Sequence, residues 1–373
     1  MKNKRIIVLI VVLAMMASMA ACSSPSAPTT AAPTTAAPGE TSAPPAEAKT
    51  TLVYGVSTDA ASLDPHVQND SHSEQIVAML YNTLLKFEAD GTIVNDLAES
   101  YDVTDDGLTW TFKLHEGVKF HNGKELTAED VKATYERFMA DDADAARLVV
   151  KEITRMFESV EVLDKYTVSI TTNEPYGPMM PLLCNRSLAI MDADVIAQYG
   201  YQVGDFVEST VGTGLFKIVS WKKDEELIVE RFDDYFGEPA KLEKIIVRHI
   251  PEAASRVIAL ENGELDMINQ FPAEDLARLE ADSRINVIKS PGVGARLFRF
   301  GCNDPIMSNT LVRQAIIHAI DRDEVIEGLF PGLSYATTGP ITPVVWGYHN
   351  FGEIKQDQEK AKQLLAEAGY PNG

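Results

Sequence analysis

Hydrophobic and polar positions along the chain change period several times, and each change marks a predicted element. Thr51-Leu52-Val53-Tyr54-Gly55-Val56 predicts an opening strand. Ile76, Val77, Leu80, Leu84 and Leu85 recur at helical spacing and predict a helix over 73–86. Between 108 and 138 the pattern is clearest. Leu108, Trp110, Phe112 and Leu114 alternate with polar residues, so they line one face of a half-buried strand. Glu116-Gly117 predicts a turn, Val118 and Phe120 a second short strand, and Asn122-Gly123 a tight turn. Thr127 then caps a helix, with Asp130 as the capping-box partner. Further strands are expected at 167–171, 227–230, 245–249 and 265–268. Helices are expected at 256–262 (ending at Gly263), at 311–326 with Val312, Ala315, Ile316, Ala319 and Ile320 on one face, and at 357–368. Strands and helices mixed in this irregular order suit an α/β protein of more than one lobe.

The first residues follow another pattern. Lys2, Lys4 and Arg5 precede an apolar run from Ile6 to Ala14, which continues through small residues and Met to Ala21, directly before Cys22. A basic head, a short apolar stretch and small residues before a cleavage point make a bacterial secretory signal over 1–21. The run is short for a membrane span, which needs ~20 apolar residues. Cys after Ala-Ala resembles the lipobox of bacterial lipoproteins, with Met19 in place of the usual Leu, and that resemblance implies lipidation of Cys22. Residues 22–50 are dominated by Ser, Pro, Ala, Thr and Gly. Such a stretch cannot bury a core and predicts a disordered tether between membrane and folded body.

Charge narrows the choice of partners. The chain has 373 residues and a formal net charge of −22. That excludes a basic nucleic-acid footprint and disfavours adhesion to anionic lipid by charge. Cys184 and Cys302 lack the spacing of a metal site and are expected as buried thiols, with one disulfide as the alternative in an exported protein.

Several short motifs then carry a resemblance. They are Leu63-Asp64-Pro65-His66, the 108–138 stretch with Lys119-Phe120-His121-Asn122-Gly123, and Val211-Gly212-Thr213-Gly214. Tyr235-Phe236-Gly237, Gly263-Glu264-Leu265-Asp266 and Val312-Arg313-Gln314-Ala315 with Ala319-Ile320-Asp321-Arg322 follow in order. Together the chain resembles the extracytoplasmic solute-binding proteins of peptide-type ABC importers, the oligopeptide, dipeptide and nickel-binding family. Leu215 departs from the Pro common at its position in that family. The resemblance implies a periplasmic-binding-protein-like α/β fold, two-lobed with an extra subdomain. Lobe I would comprise 51–81 and 205–300, lobe II 82–204, and lobe III 301–373. In the family the Ala-Gly-Tyr-Pro motif of 368–371 is internal, so the chain is expected to be incomplete at its C-terminus and to fold poorly alone.

The implied function is capture of a di- or oligopeptide in a cleft between lobes and delivery to ABC permease subunits, by a lipid-anchored monomer without a cofactor. Nickel complexes or other small solutes are alternatives within the same fold. Three segments are candidates for ligand contact. Asn69, Asp70, Ser71 and His72 follow the Leu-Asp-Pro-His turn and can meet an amine and amides. Asn269, Gln270 and Phe271 place amides and an aromatic at a strand end, which suits a cleft wall. Arg296 can pair a carboxylate bidentately. His115 and His121 lack the spacing of an HExxH zinc site, and the acidic run at Asp102, Asp105 and Asp106 lacks the calcium-loop pattern, so structural roles are expected for both. An exported peptidase or esterase is the competing class, but GxSxG and HExxH are both missing. An adhesin or sensor lipoprotein on the same fold is a third reading.

Overall fold

The computed structural model describes residues 49–140, 148–149, 151–290, 292–345 and 347–373. The predicted signal, Cys22 and the tether as far as residue 48 lie outside the described residues. In chain order the strands are β1 (Thr51–Val56), β2 (Leu85–Phe87), β3 (Ile93–Asn95), β4 (Ala98–Val103), β5 (Thr109–Leu114), β6 (Phe157–Asp164), β7 (Thr167–Thr172), β8 (Phe216–Lys222), β9 (Glu226–Arg231), β10 (Lys244–His249) and β11 (Met267–Ile268). The helices are α1 (Ser71–Leu80), α2 (Ala128–Met139), α3 (Lys151–Thr154), α4 (Met179–Leu183), α5 (Ala193–Tyr199), α6 (Ala253–Glu261), α7 (Leu276–Ala281), α8 (Thr310–Ala319), α9 (Arg322–Leu329) and α10 (Gln358–Glu367).

Two sheets organise the folded body. The order β4-β5-β7-β6 is wholly antiparallel, and the predicted alternation decides its face: Phe112 and Leu114 are fully buried while Lys113 between them is exposed. Val118, Phe120, Val131, Tyr135 and Phe138 fill the same core. The second sheet has the order β11-β1-β10-β9-β8, with β1 parallel to both β10 and β11 and the remaining pairs antiparallel. Its core joins Val56, Leu63, Ile76, Val77 and Leu80 to Leu227, Val229, Ile245 and Val247. Parallel neighbours need long crossovers, which is why β1 pairs with strands from far along the chain.

Local chemistry sets several ends as expected. The Asp130 carboxylate accepts the Thr127 N–H at 2.8 Å and starts α2. Gly263 (φ 75°) and Gly369 (φ 94°) follow the ends of α6 and α10 in the left-handed region, where glycine is unstrained. Gly212 and Gly214 answer a close approach instead. A Cβ at Gly212 would overlap the Leu80 carbonyl oxygen, and one at Gly214 the Met79 carbonyl oxygen. The Val-Gly-Thr-Gly motif is therefore a packing seam against the end of α1.

Four expectations need correction. The helix over 73–86 stops at Leu80, because Tyr81 is extended and the Leu84 carbonyl instead accepts the N–H groups of Asp96 (3.1 Å) and Ala98 (3.2 Å). Leu85 begins β2. Val118 and Phe120 form no named strand; only an isolated Lys119–Glu125 bridge closes that turn. The helix over 311–326 is two helices, since Asp321 accepts the Glu324 N–H at 3.0 Å and caps α9. Finally, Cys184 is a buried free thiol, but Cys302 is exposed and free, so no disulfide joins them.

The region after α7 is built differently. α8 packs against α10, yet the buried apolar side chains there are few, chiefly Val312 and Ala315 of α8 and Ala361 of α10. Ile288, Val293, Phe298 and Phe351 are each at least 70% exposed there. Among the described residues no helix is long and apolar enough to cross a membrane.

Candidate functional site

The parallel part of the five-stranded sheet directs the carboxyl ends of β10, β1 and β11 to one side. In open α/β sheets such ends are where ligands bind. Ser57 follows β1, His249 ends β10, and Gln270 lies just past β11. The Ser57 hydroxyl donates to Gln270 Oε1 at 3.0 Å and lies 3.3 Å from His72 Nε2. With its one proton given to Gln270, Ser57 Oγ accepts from the imidazole. His249 Nε2 sits 3.2 Å from the Ser57 carbonyl oxygen and so ties β10 to the exit of β1.

Two separate sequence segments therefore meet at Ser57. From 69–72, His72 is the residue that reaches the cluster. Asp70 acts locally instead. Its carboxylate accepts the N–H groups of His72 (3.0 Å) and Ser73 (2.9 Å) and the Ser73 hydroxyl (2.6 Å). It is the N-cap of α1, and by fixing that first turn it fixes His72. Asn69 and Ser71 are exposed beside it. From 269–271, Gln270 enters the cluster. Asn269 keeps a buried Oδ1 without a hydrogen-bond partner, and Phe271 is half-buried before Pro272. Arg296 is not part of the cluster. It is exposed and stacks on the Phe330 ring at 4.5 Å.

Beside the cluster lies a small cavity of about 10 Å³, lined in part by Tyr54, Thr58, Asp59, His72 and Gln75. It has room for roughly one water. Tyr54 donates to Gln75 Oε1 at 3.0 Å, and burial raises its phenol pKa above the ordinary value. Asp59 is held by Trp221 Nε1 at 3.0 Å and by the Asp224 N–H at 2.9 Å, so it braces the loop between β8 and β9. The wall is thus divided between these hydrogen-bonding groups and the apolar Val56, Ala60, Ile76, Leu227 and Val247, a mixture that suits a peptide's amides and carbon atoms better than a metal ion.

Sequence reasoning missed three residues. Ser57 is a small polar residue immediately after a predicted strand, a signal that was present but weak. His249 was read only as the end of a strand. Arg256 interrupts the apolar pattern of α6 and is 2% exposed. Its guanidinium donates to the carbonyls of Ile250 (2.6 Å), Pro251 (2.9 Å) and Gln270 (2.7 Å), directly behind the cluster.

His66, His121 and the Leu-Asp-Pro-His turn have structural roles. Arg137 of α2 holds Asp64 with a bidentate pair at 2.6 and 3.1 Å, and its NH1 lies 2.7 Å from His66 Nδ1. An arginine always donates, so His66 Nδ1 accepts and Nε2–H donates to the Ala189 carbonyl at 2.8 Å. That tautomer is neutral. Burial, with the facing Arg137 charge, lowers the His66 pKa to about 4. His121 repeats the arrangement: Nδ1 accepts the Gly212 N–H at 3.3 Å, Nε2 donates to the Gly214 carbonyl at 3.1 Å, and burial lowers its pKa to about 4. Among the described residues no group of three or more His, Cys, Asp or Glu side chains is placed to hold a metal ion.

The architecture recurs in known proteins. Residues 92–373 match the family model described as bacterial extracellular solute-binding proteins, family 5 Middle. A glutathione-binding protein, GsiB, of Pectobacterium atrosepticum is 33% identical over 323 residues, covering 86% of this chain and 62% of that protein. The chain therefore spans less than two thirds of that relative's length. Among solved structures, the periplasmic binding protein DppA of Helicobacter pylori, in complex with the peptide STSA, has a TM-score of 0.78 at 33% identity. That match covers 87% of this chain and 67% of DppA. The oligopeptide-binding protein AppA of Bacillus subtilis, in complex with a nonapeptide, has a TM-score of 0.75 at 27% identity, covering 85% of this chain and 64% of AppA. The match of the family model over most of the chain, on a fold that solved binding proteins share, shows that this chain belongs to the bacterial extracellular solute-binding proteins of family 5.

Proposed function

We propose that the chain is the solute-capturing component of an ABC importer and that it takes short peptides at the carboxyl ends of β1, β10 and β11. The observation that carries this reading is the meeting of His72, Ser57 and Gln270 through two hydrogen bonds, at 3.3 and 3.0 Å, on the side of the sheet where parallel strands end. A peptide backbone presents alternating N–H and C=O groups. An amide, a hydroxyl and an imidazole offer both donors and acceptors to it. The likeness to two peptide-complexed binding proteins supports the same solute class.

In this reading residues 51–81 with 205–300 form lobe I, 82–204 lobe II and 301–373 part of lobe III; the two hydrophobic cores support that division as far as Leu188, while Ala189, Met191, Val195 and Val203 pack with the core of lobe I. Asn69 and Ser71 rim the site, while Asn269 and Phe271 line it. Arg296 meets a solute carboxylate only if lobe closure carries it to the cluster. Cys22 carries lipid, the tether holds the monomer outside the membrane, and the closed form docks on permease subunits. The test is titration calorimetry with Ser-Thr-Ser-Ala, glutathione and nickel(II)–histidine. Micromolar or tighter binding of the tetrapeptide, weakened tenfold by Gln270→Ala, is expected. Binding of the nickel complex alone would replace the peptide reading, and glutathione alone would narrow it to that γ-linked peptide.

A further inference from the structure

We propose that Arg256 is a positioning residue for this site: it clamps Gln270 in the left-handed backbone conformation that turns the Gln270 side chain toward Ser57 and His72. The inference rests on the solute-site reading for its functional consequence, while the clamp itself rests on geometry. Gln270 has φ 53°, one of two non-glycine residues with positive φ among the described residues. A left-handed glutamine is disfavoured by its own Cβ and persists only where the surroundings hold it.

The surroundings here are two bonds that pull on opposite ends of the residue. Its carbonyl accepts from Arg256 NH2 at 2.7 Å, and its side-chain oxygen accepts from Ser57 at 3.0 Å. Turning the residue back to negative φ would withdraw the carbonyl from the guanidinium. That guanidinium is buried, its three hydrogen-bond acceptors are all backbone carbonyls, and its Nε already lacks a partner. Losing the Gln270 carbonyl would leave a buried cation still less satisfied, so each unfavourable feature holds the other in place.

The clamp also reaches across strands. Ile250 and Pro251 follow β10, whereas Gln270 follows β11. β11 has only two residues and sits at the sheet edge, paired through Tyr54–Met267 and Gly55–Ile268. Arg256 therefore ties the exit of an edge strand to the exit of an inner one. A planar fork spans acceptors on both sides, which a single ammonium on a flexible stem does not reproduce.

The experiment combines hydrogen exchange of the segment 265–272 with calorimetry of Ser-Thr-Ser-Ala on the 373-residue protein. Arg256→Met is expected to speed exchange in 265–272 tenfold or more, leave β5 and β7 unchanged, and weaken the tetrapeptide at least tenfold. Arg256→Lys is expected to recover only part of both losses. Gln270→Val, an exposed change that disfavours positive φ, should reproduce the exchange pattern even if Arg256→Met fails to fold, while Gln270→Asn, which tolerates positive φ, should keep exchange of 265–272 within a few-fold of wild type whatever it does to tetrapeptide affinity. Wild-type exchange of 265–272 in Arg256→Met or Gln270→Val, or acceleration spread equally over β5 and β7, overturns the clamp. Local acceleration with unchanged tetrapeptide affinity overturns its role in the site. A wild-type protein that binds no tetrapeptide, with the local exchange pattern intact, removes the peptide reading and supports the clamp.

Discussion

In the four-stranded sheet, β4 and β5 are joined across a short turn, every pairing is antiparallel, and the core face is closed by α2 and by Val118 and Phe120. In the five-stranded sheet, β1 lies between β10 and β11, so three polar strand exits from remote parts of the chain converge. The first arrangement hides its backbone ends in tight turns. The second must leave Ser57, His249 and Gln270 at a rim, where they bond to one another and to His72. Parallel pairing, with its long crossovers, gathers functional groups that antiparallel hairpins keep apart.

The link between the two sheets gives the largest test. Arg137 of α2, packed on the first core, holds Asp64 and His66 beside the second. Arg137→Ala leaves a buried carboxylate without its cation and is expected to cost about 3–5 kcal/mol in urea unfolding. A loss below about 1 kcal/mol would mean the cores are held together by apolar packing instead.

Acid should separate the same contacts. His66 and His121 have folded pKa values of about 4, below the ordinary 6.5. The unfolded chain therefore binds more protons between those values. Stability is complete above about pH 6.5 and falls as pH drops toward 4, by up to about 3 kcal/mol for each group. Urea midpoints measured from about pH 7.5 down to about pH 4 check this, and His121→Gln should flatten part of the slope. A midpoint independent of pH over that window contradicts the neutral, buried assignment.

Paired core truncations sharpen the contrast between the sheets. Leu114→Ala in β5 and Leu227→Ala in β9 each remove a fully buried side chain and are expected to cost about 2–3 kcal/mol. Leu227 also lines the cavity beside His72. Only Leu227→Ala should therefore weaken tetrapeptide binding when both variants are measured without denaturant. Equal effects on binding would erase the functional difference between the two sheets.

The smallest expected effect concerns the cap. Asp70→Ala removes three hydrogen bonds at the start of α1 and should cost about 1 kcal/mol. Its effect on tetrapeptide affinity should be several-fold, acting through His72. Asp70→Asn should retain most of both. A loss of affinity in Asp70→Ala as large as that in a His72→Ala variant would assign the carboxylate a direct contact with the solute.

Local signals determined a good deal by themselves. Alternation at Trp110, Phe112 and Leu114 placed β5 and its face, and Thr127 with Asp130 placed the start of α2. Ordered motifs identified the family before any distance was known. Tertiary structure decided what those signals could not reach. Leu84 and Leu85 sit at helical spacing, yet the Leu84 carbonyl is claimed by Asp96 and Ala98, and Leu85 pairs with Asn95 across β2 and β3. Asp70 reads as a ligand carboxylate until its three local bonds show it as a cap. Arg256 is legible in sequence only as the start of a predicted helix, and only the fold brings the Ile250, Pro251 and Gln270 carbonyls around it. The reason is range. Periodicity and capping are interactions within a few residues of one another, so the sequence records them directly. A buried charge or a convergent site depends on partners that are distant along the chain, and their proximity exists only after the sheets have formed.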